Sequence, residues 1–191
     1  DFNSGRPEFP AFPFPHVLTV SVQLLDSTVR ISTSVRPTSD AEVPVAFGWH
    51  PYFAPPGGDR QDWTVCKPFT HHLVLDERCV PTGEVDRVPV EVDVLGDPSQ
   101  GGVVFDDLFD EVPVGTTAWI EGGQHRITLS YDEGYSYAVL FAPPDQPLVA
   151  IEPMTAPTDP LSGHFPITTA KPGESYSATY GIHITESGVS A

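Results

Sequence analysis

The stretch "VAFGWHPYF", residues 45–53, sets His50 among Phe47, Trp49, Tyr52 and Phe53 and directly before Pro51. An unperturbed imidazole titrates near pH ~6.5, so it can give or take a proton at neutral pH. Proline at 51 biases residue 50 towards an extended backbone and so fixes where the ring points. The aromatic neighbours supply apolar walls of the kind that receive the flat faces of sugars. The plain alternative is a core histidine bonded to a backbone carbonyl.

A carboxylate stands in a similar setting. In "LVAIEPMTAPTD", Glu152 ends an apolar run and is again followed by a proline, Pro153. A charge in that place must face water or a polar cleft, or be paired or neutralised. A cleft floor meets this condition and lifts the carboxyl from ~4.3 towards the working range of a general base. A strand-end glutamate turned to solvent fits the same pattern.

The third candidate is "VVFDDLFDE", residues 103–111. Asp106, Asp107, Asp110 and Glu111 interleave there with Phe105, Leu108 and Phe109. The run reads as a solvated loop over a small apolar anchor, with calcium coordination or acceptance of sugar hydroxyls as chemical alternatives. It lacks the glycine and the terminal glutamate of an EF-hand at the required offsets. His71 and His72 do not make a metal site with Asp76, because neighbours on a strand point to opposite faces. No H-x-x-x-H or Cys/His set suggests zinc, so neither a metal nor a cofactor is expected. His16, His125, His164 and His183 read as structural. There is no G-x-S-x-G, P-loop or G-x-G-x-x-G, and "PPGGD" at 55–59 is a turn.

The elements that must position these groups are strands. With 22 prolines and 16 glycines long helices have no room, since a proline costs about 3 kcal/mol inside one. Apolar residues alternate instead. Leu18, Val20, Val22 and Leu24 alternate with Thr19, Ser21 and Gln23, and Val29, Ile31 and Val35 with Arg30, Ser32 and Ser34. Asp26-Ser27 between them is a hairpin turn. "VPVEVDV", "HRITLSY", "YSYAVLF" and "SYSATYGIHI" supply further strands, "KPGES" at 171–175 is a turn, and "PLVAI" at 147–151 is a strand buried on both faces. Such spacing means an all-β sandwich or barrel, and without linker, repeat or low-complexity tract it reads as a single domain over 1–191. The Pro/Phe-rich opening, residues 6–16, is expected to be extended and packed on the body.

Charge bounds the partners. Nine Lys and Arg against 26 Asp and Glu give −17. That surface disfavours nucleic acid and anionic membrane while leaving a neutral substrate such as a sugar open. No apolar run approaches the ~20 residues that span a bilayer, and no signal-peptide pattern opens the chain. Cys66 and Cys79 form no C-x-x-C and read as two free thiols in a reducing cytoplasm.

Taken together, "VPVAFGWHPYF", then "FDDLF", then "VAIEPMTAPTDPL" resemble the aldose 1-epimerase (galactose mutarotase) family, and the two strands leading into H-P-Y-F extend the resemblance over essentially the whole chain. The resemblance implies a large antiparallel β-sandwich, the galactose mutarotase-like supersandwich, with an open cleft on one sheet. It implies that His50 is the general acid and Glu152 the general base. The sugar-binding aspartate maps to Asp106, three before Phe109, with Asp107 as the fallback. The family also carries an arginine and another histidine well before H-P-Y-F. The 49 residues before His50 hold no matching motif, and neither Arg6 nor His16 has the right context. An N-terminally truncated family domain is the expectation, with sheet edges and apolar surface left uncovered.

The implied reaction is interconversion of the α and β anomers of a free hexose by opening and reclosing the ring, without a cofactor. Trp49, Tyr52 or Phe53 would pack on the apolar face of the sugar. Two rivals remain. A hexose-6-phosphate 1-epimerase would need a cationic cluster, which Arg60, Lys67, Arg78 and Arg87 do not form in sequence. A non-catalytic carbohydrate-binding sandwich would use the same aromatic and acidic residues. The preferred sugar and the oligomeric state are not written in the sequence.

Overall fold

The computed structural model describes residues 12–160 and 165–186. The strands are β1 (His16–Leu25), β2 (Thr28–Pro37), β3 (Val43–Val45), β4 (Tyr52–Phe53), β5 (Thr64–Lys67), β6 (His71–Leu75), β7 (Pro81–Arg87) and β8 (Glu91–Val94). They continue as β9 (Phe105–Phe109), β10 (Thr117–Gly122), β11 (His125–Glu133), β12 (Tyr137–Ala142), β13 (Val149–Met154), β14 (Thr168–Ala170) and β15 (Tyr176–Glu186). Single 3-10 turns lie at Arg60–Asp62 and Pro98–Gln100. Among the described residues, no helix is long and apolar enough to cross a membrane.

All pairings are antiparallel, as short turns between alternating strands require. One sheet runs β1-β2-β15-β11-β10-β5-β8, a second runs β4-β13-β12-β9-β6-β7, and β14 pairs with β3. Asp26 makes the first hairpin: Leu25 pairs with Thr28 across a two-residue turn, and Asp26 takes the φ of 50° that such turns need. The β10–β11 turn depends on a glycine. Gly123 has φ +59°, and a Cβ there would come within 2.1 Å of the Gly57 carbonyl oxygen.

The core lies between the two large sheets. Ile31, Val65, Ala118, Ile120, Leu129 and Tyr180 from one face Phe105, Phe109, Ala138, Leu140, Val149 and Ile151 from the other. Each large apolar side chain fully buried here contributes about 1.5–3 kcal/mol. A second, smaller cluster of Val35, Val43, Val45 and Ala170 receives Phe12 and Phe14, so that part of the opening segment packs on the body. Residues 6–11 lie outside the described residues, as does His164.

The seven-stranded sheet is wider than its partner. On β1, Leu18, Val20 and Val22 pair with Val35, Thr33 and Ile31 of β2, which are buried. Directly opposite residues share a face, so the β1 row continues the inner face of the sheet. Yet Val22 is 64% and Leu24 75% exposed, so among the described residues this part of the inner face has no cover.

Two expectations change. The acidic run 103–111 is not a loop: residues 105–109 form β9, between β12 and β6. Phe105, Leu108 and Phe109 are buried at 4%, 1% and 0% exposure, and that burial outweighs the strand-averse aspartates. Val88 and Val90 stand outside β8, which begins at Glu91. Both cysteines are free.

Candidate functional site

Residues 46–51 lie outside the regular ladders, but the end of β13 holds them. The Phe47 amide donates to Thr155 Oγ1 at 2.9 Å, and the Thr155 amide donates back to the Phe47 carbonyl at 2.9 Å. Gly48 forms an isolated antiparallel bridge with Met154, and the Trp49 amide donates to the Pro153 carbonyl at 3.1 Å. This approach needs a glycine, because a Cβ on residue 48 would meet Met154 Cγ at 2.8 Å and the Pro153 oxygen at 3.0 Å. The next residue on the loop is His50, and the preceding residue on β13 is Glu152.

His50 Nε2 lies 3.0 Å from Glu152 Oε1. The imidazole stacks on Tyr52 with ring centroids 4.4 Å apart, and the Tyr52 hydroxyl lies 3.3 Å from the same Nε2. Phe141 meets the imidazole edge-on at 6.3 Å. The histidine side chain is 48% exposed and the glutamate only 11%. One partner therefore reaches out from the sheet and the other forms its floor.

Burial explains the electrostatics of Glu152. Desolvation pushes its carboxyl up to about 7, and the negative charge of Asp106 adds to the rise.

Register places the aspartates. Tyr52 stands opposite Ala150, Ala150 opposite Phe141, and Phe141 opposite Asp106. Glu152 is two residues from Ala150 and thus on the same face. Asp106 shares that face, is exposed, and holds its Oδ2 3.7 Å from the Cys79 thiol. Asp107 points the other way. It pairs with Leu140 in the ladder and with His72 Nε2 at 3.2 Å.

The four aromatic residues around His50 do not all wall it. Phe53 is buried in the core at 8% exposure. Trp49 packs against the core, donates its indole N–H to Thr33 Oγ1 at 3.1 Å and tilts against Tyr180. Phe47 turns its edge to Tyr135 and Tyr176. Trp49, expected at the sugar cleft, thus has its indole N–H and its rings engaged with Thr33 and Tyr180. Tyr52, 53% exposed, is the member of the quartet that faces the pair. Phe141 and Cys79 were missed; neither has a local pattern that signals a site, since each is brought there by cross-strand neighbours.

His71 and His72 do point apart. His71 is buried, with Nδ1 3.4 Å from Asp110 and Nε2 2.9 Å from Glu111. Burial raises the Asp110 carboxyl. A cavity of about 500 Å³ lies beside this cluster, lined by Phe69, Arg87, Val112 and Pro113 among others. None of its lining residues comes from β4 or β13, so it is separate from the His50–Glu152 pair. Among the described residues, no group of three or more His, Cys, Asp or Glu side chains is arranged to hold a metal ion.

Solved structures share this architecture. A galactose mutarotase-like protein from Clostridium acetobutylicum superposes with a TM-score of 0.79 at 23% identity, covering 97% of this chain and 61% of that one. An aldose epimerase homologue from C. elegans gives 0.75 at 16% identity, over 92% and 61% of the two chains. Galactose 1-epimerase from Lactobacillus acidophilus gives 0.68 at 15% identity, over 95% and 61%. At these identities the likeness carries the fold. The chain spans about three-fifths of the length of these structures. No curated protein matches it at a significant level. The model of the family described as Aldose 1-epimerase matches residues 2–183. With that match over nearly its whole length, the chain belongs to the aldose 1-epimerase family.

Proposed function

We propose that this chain carries the acid–base pair of a mutarotase acting on a free aldose. The observation that carries the reading is the 3.0 Å contact between His50 Nε2 and Glu152 Oε1, with a carboxyl poised at about 7. Anomer exchange needs one group at the C1 hydroxyl and another at the ring oxygen. These two oxygens share a single carbon, so the acid and the base must lie close together. Glu152 takes the proton from the C1 hydroxyl as the C1–O5 bond breaks, and His50 delivers a proton to O5. The open-chain aldehyde turns about C1–C2. On reclosure O5 attacks the other carbonyl face, His50 recovers its proton, and Glu152 returns one to the new C1 hydroxyl. Positioned proton transfer of this kind accelerates a reaction by ~10²–10⁴-fold. Tyr52 offers its exposed ring to the sugar and Asp106 accepts a hydrogen bond from a hydroxyl.

The positions of the cations favour a free sugar over a hexose 6-phosphate. Arg60 is buried with its guanidinium on the Gly96, Val103 and Ala142 carbonyls. Lys67 pairs with Glu91 and Arg78 with Asp76, and Arg87 lines the cavity beside His71.

Polarimetry of freshly dissolved α-galactose and α-glucose tests the proposal. Equilibration faster with the protein than with the His50→Ala variant is the expected result. Sugar binding in calorimetry without faster equilibration would instead make the chain a carbohydrate-binding sandwich.

A further inference from the structure

The β6–β7 hairpin ends in a turn, residues 76–80, that is more tightly built than its exposure requires. Asp76 Oδ1 accepts from the Arg78 amide at 2.9 Å and from the Val80 amide at 3.0 Å. Its Oδ2 takes the Arg78 guanidinium at 2.9 Å. The backbone closes the turn twice more: the Asp76 amide donates to the Val80 carbonyl at 2.8 Å, and the Cys79 amide to the Asp76 carbonyl at 3.0 Å. Inside this frame Cys79 sits at φ 58°, a left-handed conformation that a non-glycine residue adopts only when its surroundings impose it.

The imposed conformation has a direction. Strand β6 pairs with β9 through Leu73 and Leu108, so the hairpin tip overhangs the β9 end that carries Asp106. Cys79 Sγ lies 3.7 Å from Asp106 Oδ2. The Asp106 charge raises the thiol above its ordinary value, which keeps the S–H proton in place to be donated. Among the described residues Asp106 Oδ1 has no hydrogen-bond partner, and it lies on the face of the sheet that carries Glu152. Tyr52 closes the opposite end of the same cross-strand row.

We propose that the 76–80 turn is the far wall of the sugar cleft and that Cys79 is a positioning residue, its thiol fixing the Asp106 carboxylate so that the free oxygen meets a ring hydroxyl. This inference rests on the mutarotase reading for the identity of the ligand. It assigns the hairpin a role in sugar affinity and none in proton transfer.

The test uses the whole chain with d-galactose and d-glucose as probes. Cys79→Ala is expected to raise KM about fivefold, as for loss of one hydrogen bond, with kcat within twofold. Cys79→Ser, which keeps a donor, is expected to restore KM. In parallel, alkylation by N-ethylmaleimide at pH 8.5 is followed by mass spectrometry with and without sugar. Sugar is expected to slow modification of Cys79 several-fold and to leave Cys66 unchanged. An unchanged KM in Cys79→Ala, or equal Cys79 alkylation with and without sugar in an active protein, overturns the inference alone. Protection of Cys79 in a protein that fails to accelerate mutarotation upholds it while the catalytic reading falls. Neither protection nor turnover overturns both.

Discussion

The Trp49 amide donates to the Pro153 carbonyl at 3.1 Å, and these two residues are the chain neighbours of His50 and Glu152. The irregular segment and the buried strand are therefore one backbone unit at the point where acid and base meet. Main-chain contacts thus fix the separation of the two backbones from which these side chains reach.

Gly48→Ala tests that dependence. The added methyl would press on Met154 Cγ, which can move, and on the Pro153 oxygen, which cannot. We expect a stability loss of about 1–3 kcal/mol, as for overpacking. Displacing His50 from Glu152 should also cut kcat by about 10²-fold, the scale for a misplacement near 1 Å. Urea unfolding and polarimetry measure the two effects; the predicted loss of stability with normal turnover would separate the loop from the chemistry.

Glu152→Gln keeps the shape and removes the base. We expect kcat/KM to fall by ~10²–10⁴-fold. His50→Ala should fall comparably, and the double variant should lose little more than either single one, because the two groups act as a unit. Full additivity in the double variant would place them in independent steps.

Stability should depend on pH with a sign set by Glu152. Its folded value, about 7, lies above the ordinary 4.5, so the folded state holds the proton more tightly. This contribution is fully present below pH ~4.5 and is lost as pH rises through ~7. With screening at the cleft mouth it amounts to about 2 kcal/mol. Urea midpoints of the wild type and of Glu152→Gln between pH 4 and 9 check it. The variant should lack this fall and be relatively more stable at pH 8.

The uncovered row on β1 should behave as exposed apolar surface. Val22→Thr with Leu24→Thr should change stability by less than about 0.5 kcal/mol each, as at other solvent-facing sites. The fluorescence of an added apolar dye such as anilinonaphthalene sulfonate should fall. A large loss of stability would mean that these side chains are packed in solution.

Much of this arrangement was legible in the residues. Period-two alternation marked β1, β2, β11, β12 and β15; one face of β2, β11, β12 and β15 meets the core, whereas the apolar row of β1 alternates in the same way but stands exposed. The settings of His50 and Glu152 were visible because an apolar or aromatic run ends at each and a proline follows. Strand β9 was hidden, because Asp106, Asp107 and Asp110 argue against a strand and only cross-strand burial of Phe105 and Phe109 overrules them. The direction of the Trp49 indole was not legible, because residues 46–51 follow no regular period and nothing local says which way it turns. Cys79 was invisible as a neighbour of Asp106, since a sheet register unites them.

The order of the wider sheet has one more consequence. Strand β15 runs between β2 and β11, so among the described residues the β1–β2 hairpin joins the remaining strands of its sheet only through residues 176–186. While these are still inside the ribosome, the first hairpin has no route to the rest of its sheet. Assembly must wait until almost all of the described chain has emerged, and such long-range closure is slow. Until then the β2 edge of that hairpin stays open, and an open strand edge invites association with other chains.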